Sequence, residues 1–187
     1  MSGIYSFHPL VHAWSHDRLS HEQQLASCSL AVELLSNSIT FNFGSEEYAF
    51  HQTLIPHIKT TEKCRTTMGI ELGYDDRQCT NFGLVFDEAG NWKEVEKLWV
   101  QVLLRRKRVL GNEHPDTLTS MSKLASTYWN QGQWKEAEEV DVQVLHMRKR
   151  VIGEEHPDTL TSKSDVASTY RNQGWWKEAE ELEVQVL

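Results

Sequence analysis

The sequence predicts an all-α protein: an α-solenoid of antiparallel helix pairs, preceded by a short strand and two or three helices. The main observation is a repeat, because the stretch beginning at Trp92 recurs from Trp134 at an offset of 42 residues, with 29 of 42 positions identical. Within each copy, apolar residues recur every three or four positions, which is typical of an amphipathic helix. A two-helix unit of this kind cannot cover its own apolar face, so neighbouring units are expected to stack.

The first helix of each copy begins at the repeated tryptophan. In the copy that starts at Trp92, the apolar stripe consists of Trp92, Val95, Leu98/Trp99, Val102/Leu103 and Val109/Leu110. Gly111 then predicts a left-handed C-terminal stop. The basic run at 105–108 falls in the last turns, where cations oppose the negative end of the helix dipole.

The second helix begins at His114-Pro115-Asp116-Thr117. Proline is favoured in a first helical turn, and an Asp or Thr side chain there is expected to accept from free backbone N–H groups. One face of this helix carries the apolar positions Leu118, Met121, Leu124/Ala125 and Tyr128. The turn at 130–132 is short enough to return the next helix antiparallel.

Residue size also repeats with the 42-residue period. Small residues are predicted where helices cross closely, at Ala125, Ala137, Ala167 and Ala179. Large aromatic residues are predicted to fill the wider gaps and to bury a large area, at Tyr128, Tyr170, Trp134 and Trp176.

This pattern resembles the tetratricopeptide repeat (TPR), and its period and GEEHPDTL linker are similar to the kinesin-light-chain type. The matching positions are Leu124, Ala125, Tyr128, Gly132, Trp134, Ala137 and Val144. The resemblance covers residues 74–187 and predicts three units, at about 74–115, 116–157 and a truncated 158–187. It departs from true kinesin light chains at Ser122-Lys123 and Ser164-Asp165, where those proteins carry paired asparagine.

The resemblance implies a concave groove that binds an extended or helical peptide. The groove is lined by the first helix of each TPR unit, which in the second and third units is the helix that begins at the His-Pro-Asp-Thr sequence. Carried over by position, the groove residues are Arg77, Thr80, Leu84 and Asp87; Thr119, Ser122, Ser126 and Trp129; and Thr161, Ser164, Ser168 and Arg171. Trp129 and Arg171 are the strongest candidates for partner contact, because exposed aromatic and guanidinium groups are typical interface anchors. The alternative is that these two are ordinary surface residues.

The chain before the repeats predicts a different, helical region. Residues 4–7 alternate weakly, as in a short strand, and His8-Pro9-Leu10 opens a helical pattern. Further helices are expected from about Ser20 to Leu35 and from Glu46 to about Thr60, with Pro56 kinking the second or ending it early. Residues 38–73 are assigned to a helical spacer.

The segment YSFHPLVHAWSHDRL is similar to the closing, winged-helix edge of NB-ARC-type STAND ATPases, so residues 1–37 are predicted to be a remnant of that edge. The resemblance places His8 as a weak equivalent of the histidine that reads the nucleotide β-phosphate. No GxxxxGK[ST] phosphate-binding loop is present, so the chain is expected neither to bind ATP tightly nor to hydrolyse it.

Composition excludes several functional classes. The net charge of −8 disfavours nucleic acid as the main partner, and no apolar stretch approaches the length of a membrane span. Three cysteines without a CxxC motif exclude a disulfide scaffold and favour a reducing, cytoplasmic location.

Three groups of residues could form chemical sites, and each also has a structural interpretation. His8, His12 and His16 share a helical spacing, with Asp17, His21 and Glu22 nearby, as in some zinc sites. Cys64 would be a nucleophile only if His57 activated it. Arg105–Arg108 and Arg148–Arg150 resemble localisation or phosphate-binding patches, but their recurrence at the repeat offset favours a structural role. We expect no metal, no cofactor and no catalytic residue.

The sequence therefore predicts a non-enzymatic protein-interaction scaffold, the sensor or regulatory region of a STAND-type (NLR-like) protein. The alternative is the C-terminal part of an ATP-dependent signalling switch whose nucleotide-binding core lies outside this chain. Because the third unit is truncated within its second helix, where Leu182, Val186 and Leu187 would leave the end of the array partly bare, self-association through that unit is also expected.

Overall fold

A computed structural model describes residues 19–40, 45–69 and 74–184 of the chain. In these ranges it forms eight α-helices and no strand: α1 (His21–Ser38), α2 (Ser45–Thr67), α3 (Asp76–Glu88), α4 (Trp92–Leu110), α5 (Pro115–Asn130), α6 (Trp134–Ile152), α7 (Pro157–Gln173) and α8 (Trp176–Val184). The chain divides into two compact units, residues 1–72 and 73–187.

In the first unit, α1 and α2 pack against each other. The predicted start of α1 is confirmed, because the Ser20 side chain accepts from the Gln23 backbone N–H in a capping box. Of the two effects expected of Pro56, a kink or an early end, the early end is wrong: α2 continues through Pro56 to Thr67. The predicted strand at 4–7 and the helix that opens at His8 lie outside the described residues.

In the second unit, each helix from α3 to α8 packs against the next along the chain. The resulting pairs α3/α4, α5/α6 and α7/α8 confirm the predicted helical solenoid. The four crossing alanines Ala125, Ala137, Ala167 and Ala179 are all at most 1% exposed. Small residues at these positions let the helices approach closely, as the sequence predicted.

The side chains that cap the start of α5 and α7 are not the predicted ones. His114 and His156 are the N-cap residues, and the imidazole Nδ1 of each accepts from the backbone N–H two residues later, at 3.2 and 3.1 Å. The expected caps by Asp or Thr side chains are therefore wrong. Pro115 occupies the first turn as predicted, because its missing N–H leaves no bond unsatisfied there.

The backbone at one helix end and the burial of several large apolar residues also differ from the prediction. Gly111 has a positive φ of 92°, but its ψ of 168° is extended rather than left-handed helical. Trp134 and Trp176 do not fill gaps: they are 40% and 66% exposed, since each is the first residue of its helix, where fewer neighbours surround a side chain. Val109 and Leu110 are likewise exposed, so the buried stripe of α4 ends at Leu103.

Candidate functional site

The basic runs hold consecutive helix pairs in place. Arg148, which is buried, donates from Nη1 to the Asp158 carbonyl at 3.0 Å and to Ser162 Oγ at 2.8 Å, at the N-terminal end of α7. One repeat earlier, Arg106 makes the same two bonds to the carbonyl and serine at the start of α5. For these two arginines the structural interpretation is confirmed.

A second repeated bridge fixes the other end of the same helices. Gln131 Nε2 donates to the Trp92 carbonyl and to Glu96 Oε2, at 3.2 and 2.9 Å. Forty-two residues later, Gln173 makes the equivalent bonds to Trp134 and Glu138. Both ends of α5 are thus tied to α4, and both ends of α7 are tied to α6, by the same residues in each repeat.

Between these helices lies a cavity of about 280 Å³ that three consecutive helices line. The lining residues are Ser126, Trp129 and Asn130 from α5, Asp141 from α6, and Asp165, Ser168 and Thr169 from α7. Three of the predicted groove residues, Ser126, Trp129 and Ser168, are thus brought together in one place. The other four, Asn130, Asp141, Asp165 and Thr169, are not among the predicted groove residues.

The cavity has a buried floor and an exposed rim. Asp141 is 6% exposed, and its Oδ2 accepts from Thr169 Oγ1 at 3.4 Å. Trp129, by contrast, is 41% exposed. The cavity therefore combines a carboxylate withdrawn from solvent with an aromatic side chain accessible to a partner.

The floor is electrostatically unusual because it holds two carboxyl groups. Burial, and secondarily the charge of Asp165, raises the pKa of Asp141 to about 7, against the hydrogen bond from Thr169 and the charge of Arg148. Burial also raises the pKa of Asp165, which the charges of Arg148 and Lys123 lower in part. At neutral pH the ionised floor is thus poorly compensated, and a cation placed there would relieve that cost.

The remaining predicted groove residues lie outside this cavity. Ser122 is half-buried, and its Oγ has no hydrogen-bond partner. Arg171 is exposed, and its Nη2 pairs with Glu183 on α8. The other residues with exposed side chains are Arg77, Thr80, Asp87, Thr119, Thr161 and Ser164, and Leu84 is half-buried.

The sequence did contain a signal for the missed residues. At the offset of 42, Asp141 stands where the preceding copy has Trp99, which is 8% exposed, and Asp165 stands where it has Lys123. The copies are identical at most positions, so a change from a buried indole to a carboxylate marks a local change in packing.

The described part of the chain gives no support for the metal site or for a nucleophilic Cys64. No group of three or more potential metal ligands occurs there, and His8, His12 and His16 lie outside it. Cys64 shares a hydrogen bond with Cys28 rather than with His57, and burial together with this bond raises the pKa of the Cys28 thiol to about 11. No described helix has the length and apolarity needed to cross a bilayer.

Comparison with known proteins identifies the repeats. Residues 77–116 and 117–158 match the family model of the tetratricopeptide repeat, so α3 to α6 form TPR units. Among curated proteins, no sequence is significantly similar to the chain.

Solved structures show the same fold. The crystal structure of a presumed kinesin light chain from Podosopora anserina, with nearly identical TPR-like repeats, has a TM-score of 0.57 and 24% identity, covering 97% of this chain and 95% of that one. A single-substitution variant of that protein gives the same values. The crystal structure of BtubC (BKLC) from P. vanneervenii has a TM-score of 0.54 and 15% identity, covering 90% and 72% of the two chains.

Proposed function

We propose that the chain is a non-enzymatic protein-interaction scaffold whose TPR units hold a partner peptide across α5 and α7. The observation that supports this most directly is the cavity between these helices, with Trp129 exposed at its rim. TPR folds are typically scaffolds without enzymatic activity. A rigid, preformed recess beside an exposed aromatic is the arrangement that protein partners use as an anchor point.

Rigidity supports this function because a preorganised surface loses little conformational entropy on binding. The Arg148 and Gln173 bridges tie both ends of α7 to α6. Partner binding would therefore require side-chain adjustment at the rim rather than rearrangement of helices.

The segment before the repeats indicates the kind of protein to which the scaffold belongs. We assign the chain to the sensor or regulatory region of a cytoplasmic STAND-type protein, on the resemblance of residues 5–19 and on the order of that segment before the repeats. The alternative, part of an ATP-dependent switch, makes a different prediction. A longer chain containing a GxxxxGK[ST] loop would then bind ATP, and substitution of His8 would change its affinity for ADP.

A photo-crosslinking experiment tests the scaffold function. A photoreactive phenylalanine analogue placed at Ser126, on the rim, should crosslink a defined partner in extracts of the native host. The same analogue at the exposed Glu139 is the matched control and should give no such product. The variant Trp129→Ala should reduce the crosslink at Ser126, whereas Trp176→Ala should not. Equal yields from the two positions, or from both tryptophan variants, would contradict the proposal.

Self-association through α8 belongs to the same proposal. Trp176 and Val184 on this helix are 66% and 67% exposed, which offers apolar area to a second copy. Sedimentation velocity should show a concentration-dependent dimer that Val184→Glu abolishes. A chain that stays monomeric at all concentrations would contradict self-association through α8 but not the proposed peptide binding.

A further inference from the structure

Asp141 is a buried carboxylate in a cavity, and no described cation pairs with it. Among the described residues its one hydrogen bond is that from Thr169, at 3.4 Å to Oδ2. The positive charge of Arg148 partly offsets that of Asp141, but the guanidinium donates its hydrogen bonds to the Asp158 carbonyl and Ser162 at the start of α7. An ionised carboxylate with so few partners is costly to keep buried, so its presence at the floor of an accessible cavity calls for a ligand.

The next repeat shows which ligand completes such a position. Glu183 occupies the place of Asp141 one repeat later, and Arg171 occupies the place of Trp129. There the guanidinium of Arg171 pairs with the Glu183 carboxylate. In the α5–α7 cavity the carboxylate is retained, but the arginine is replaced by Trp129, so the position that supplies the paired cation in the next repeat supplies none here, and a cation from a partner can take its place.

We propose that the cavity between α5 and α7 binds the side chain of an arginine presented by a partner peptide. This inference rests on the proposed scaffold function and names the residue that the groove accepts. The floor carboxylates Asp141 and Asp165 are the charge partners, and Trp129 at the rim provides a stacking face.

Arginine fits this site better than lysine does. A planar guanidinium offers five N–H donors in a fixed fork, enough to reach both carboxylates and the rim hydroxyls of Ser126 and Ser168. It also stacks on an indole while remaining hydrogen-bonded at its edges, and it is less strongly hydrated than an ammonium. The two serines are small and exposed, so they leave the entrance open.

The charges around the site agree with this choice. Lys123 and Arg148 compensate Asp165 and Asp141 only in part, because burial still dominates both carboxyl groups. The net charge of the chain is −8, so a basic partner segment would also be attracted from a distance.

Nuclear magnetic resonance titration of the full chain tests the assignment. The probe is the tripeptide acetyl-Gly-Arg-Gly-amide, and its matched control contains citrulline, the neutral isostere of arginine. The arginine peptide should shift the Trp129 indole N–H resonance saturably, whereas the citrulline peptide should not. The lysine peptide should bind at least about threefold more weakly, because it lacks the planar fork.

Two kinds of variant separate binding from folding. Asp141→Asn and Asp165→Asn should each weaken the arginine peptide about tenfold or more, since each removes one charge-assisted contact. The exposed Glu139→Gln is the control and should bind normally. Trp129→Arg reproduces the arrangement at Arg171, so its own guanidinium should occupy the cavity and abolish peptide binding. Because residue 129 is exposed, this substitution should not unfold the chain.

The outcomes distinguish this inference from the scaffold function. If the arginine and citrulline peptides shift the same resonances equally, or if Asp141→Asn and Trp129→Arg bind normally, the arginine site is wrong. Crosslinking at Ser126 would still report on partner binding in that case. Conversely, tight arginine binding with no crosslinked partner would leave the site standing and overturn the scaffold function.

Discussion

Replacing Asp141 with asparagine should stabilise the folded chain above neutral pH. Burial and Asp165 raise the pKa of this carboxyl from its ordinary 3.8 to about 7. The folded state therefore binds more protons than the unfolded state between roughly pH 4 and pH 7, so the free energy of unfolding decreases as the pH rises through that window. Above the folded-state pKa the full cost of the buried charge is present, and asparagine removes it.

The magnitude follows from the size of the shift. A difference of about 3 pKa units corresponds to an upper limit of about 4 kcal/mol, at 1.36 kcal/mol per unit. Asp141 is 6% exposed but borders an accessible cavity, whose water lowers the cost, so we expect a gain of about 1–3 kcal/mol at pH 8. Asparagine keeps a carbonyl oxygen to accept from Thr169, so the change leaves that donor satisfied.

Urea unfolding followed by far-ultraviolet circular dichroism measures the effect. The wild-type chain should lose stability between pH 5 and pH 8, and Asp141→Asn should flatten this dependence. Glu139→Gln, an exposed acid on the same helix, should leave the wild-type dependence unchanged. A variant that is less stable than wild type at pH 8, or a dependence equal in both, would refute the reasoning from burial.

Two further substitutions and one chemical modification test individual contacts and the burial of Cys28. Arg148→Leu should destabilise the chain by about 1–3 kcal/mol, because it leaves the carbonyl and serine at the start of α7 without their donor, whereas the exposed Arg108→Leu should change little in urea unfolding. Iodoacetamide should alkylate Cys64 before Cys28 in mass spectrometry, since Cys28 is 6% exposed and its pKa is raised to about 11. His114→Ala should lower the melting temperature through the loss of about 0.5–2 kcal/mol of N-capping, and replacement by asparagine should restore most of it.

Each of these expectations has an outcome that would contradict it. Equal effects of the substitutions at Arg148 and Arg108 would mean that the repeated arginine contributes charge rather than a specific bridge. Faster alkylation of Cys28 would mean that its helix opens readily. Full stability after His114→Ala would remove the imidazole from the capping role.

The fold was predictable because the repeat provides two copies of the same local information. Positions such as Ala125 and Ala167 are small for the same reason in each copy, and both are buried. The helix boundaries followed, because glycine and proline punctuate the copies at fixed places. With its unit repeated, the sequence defines both the helices and the neighbours against which they pack.

The predictions fail at positions where the local preference of a residue differs from what its packing in the fold produces. Trp134 matches the TPR signature and was expected to be buried, but it begins α6 and is 40% exposed. Pro56 breaks one backbone hydrogen bond, yet α2 continues past it to Thr67, because residues on both sides, Leu54 and Ile58, are buried and hold the helix. Local preference was outweighed by packing in both cases.

The cavity could not be predicted from any single helix, because three helices contribute to it. Its origin is nonetheless visible in the differences among the copies: the same position is Trp99, then Asp141, then Glu183. The first is a buried indole, the second borders a cavity, and the third pairs with Arg171. Since the shared residues build the same helices each time, selectivity has to reside in the positions that differ. If so, exchanging Asp141 for tryptophan should close the cavity and abolish arginine binding while leaving the helical content, measured by circular dichroism, unchanged.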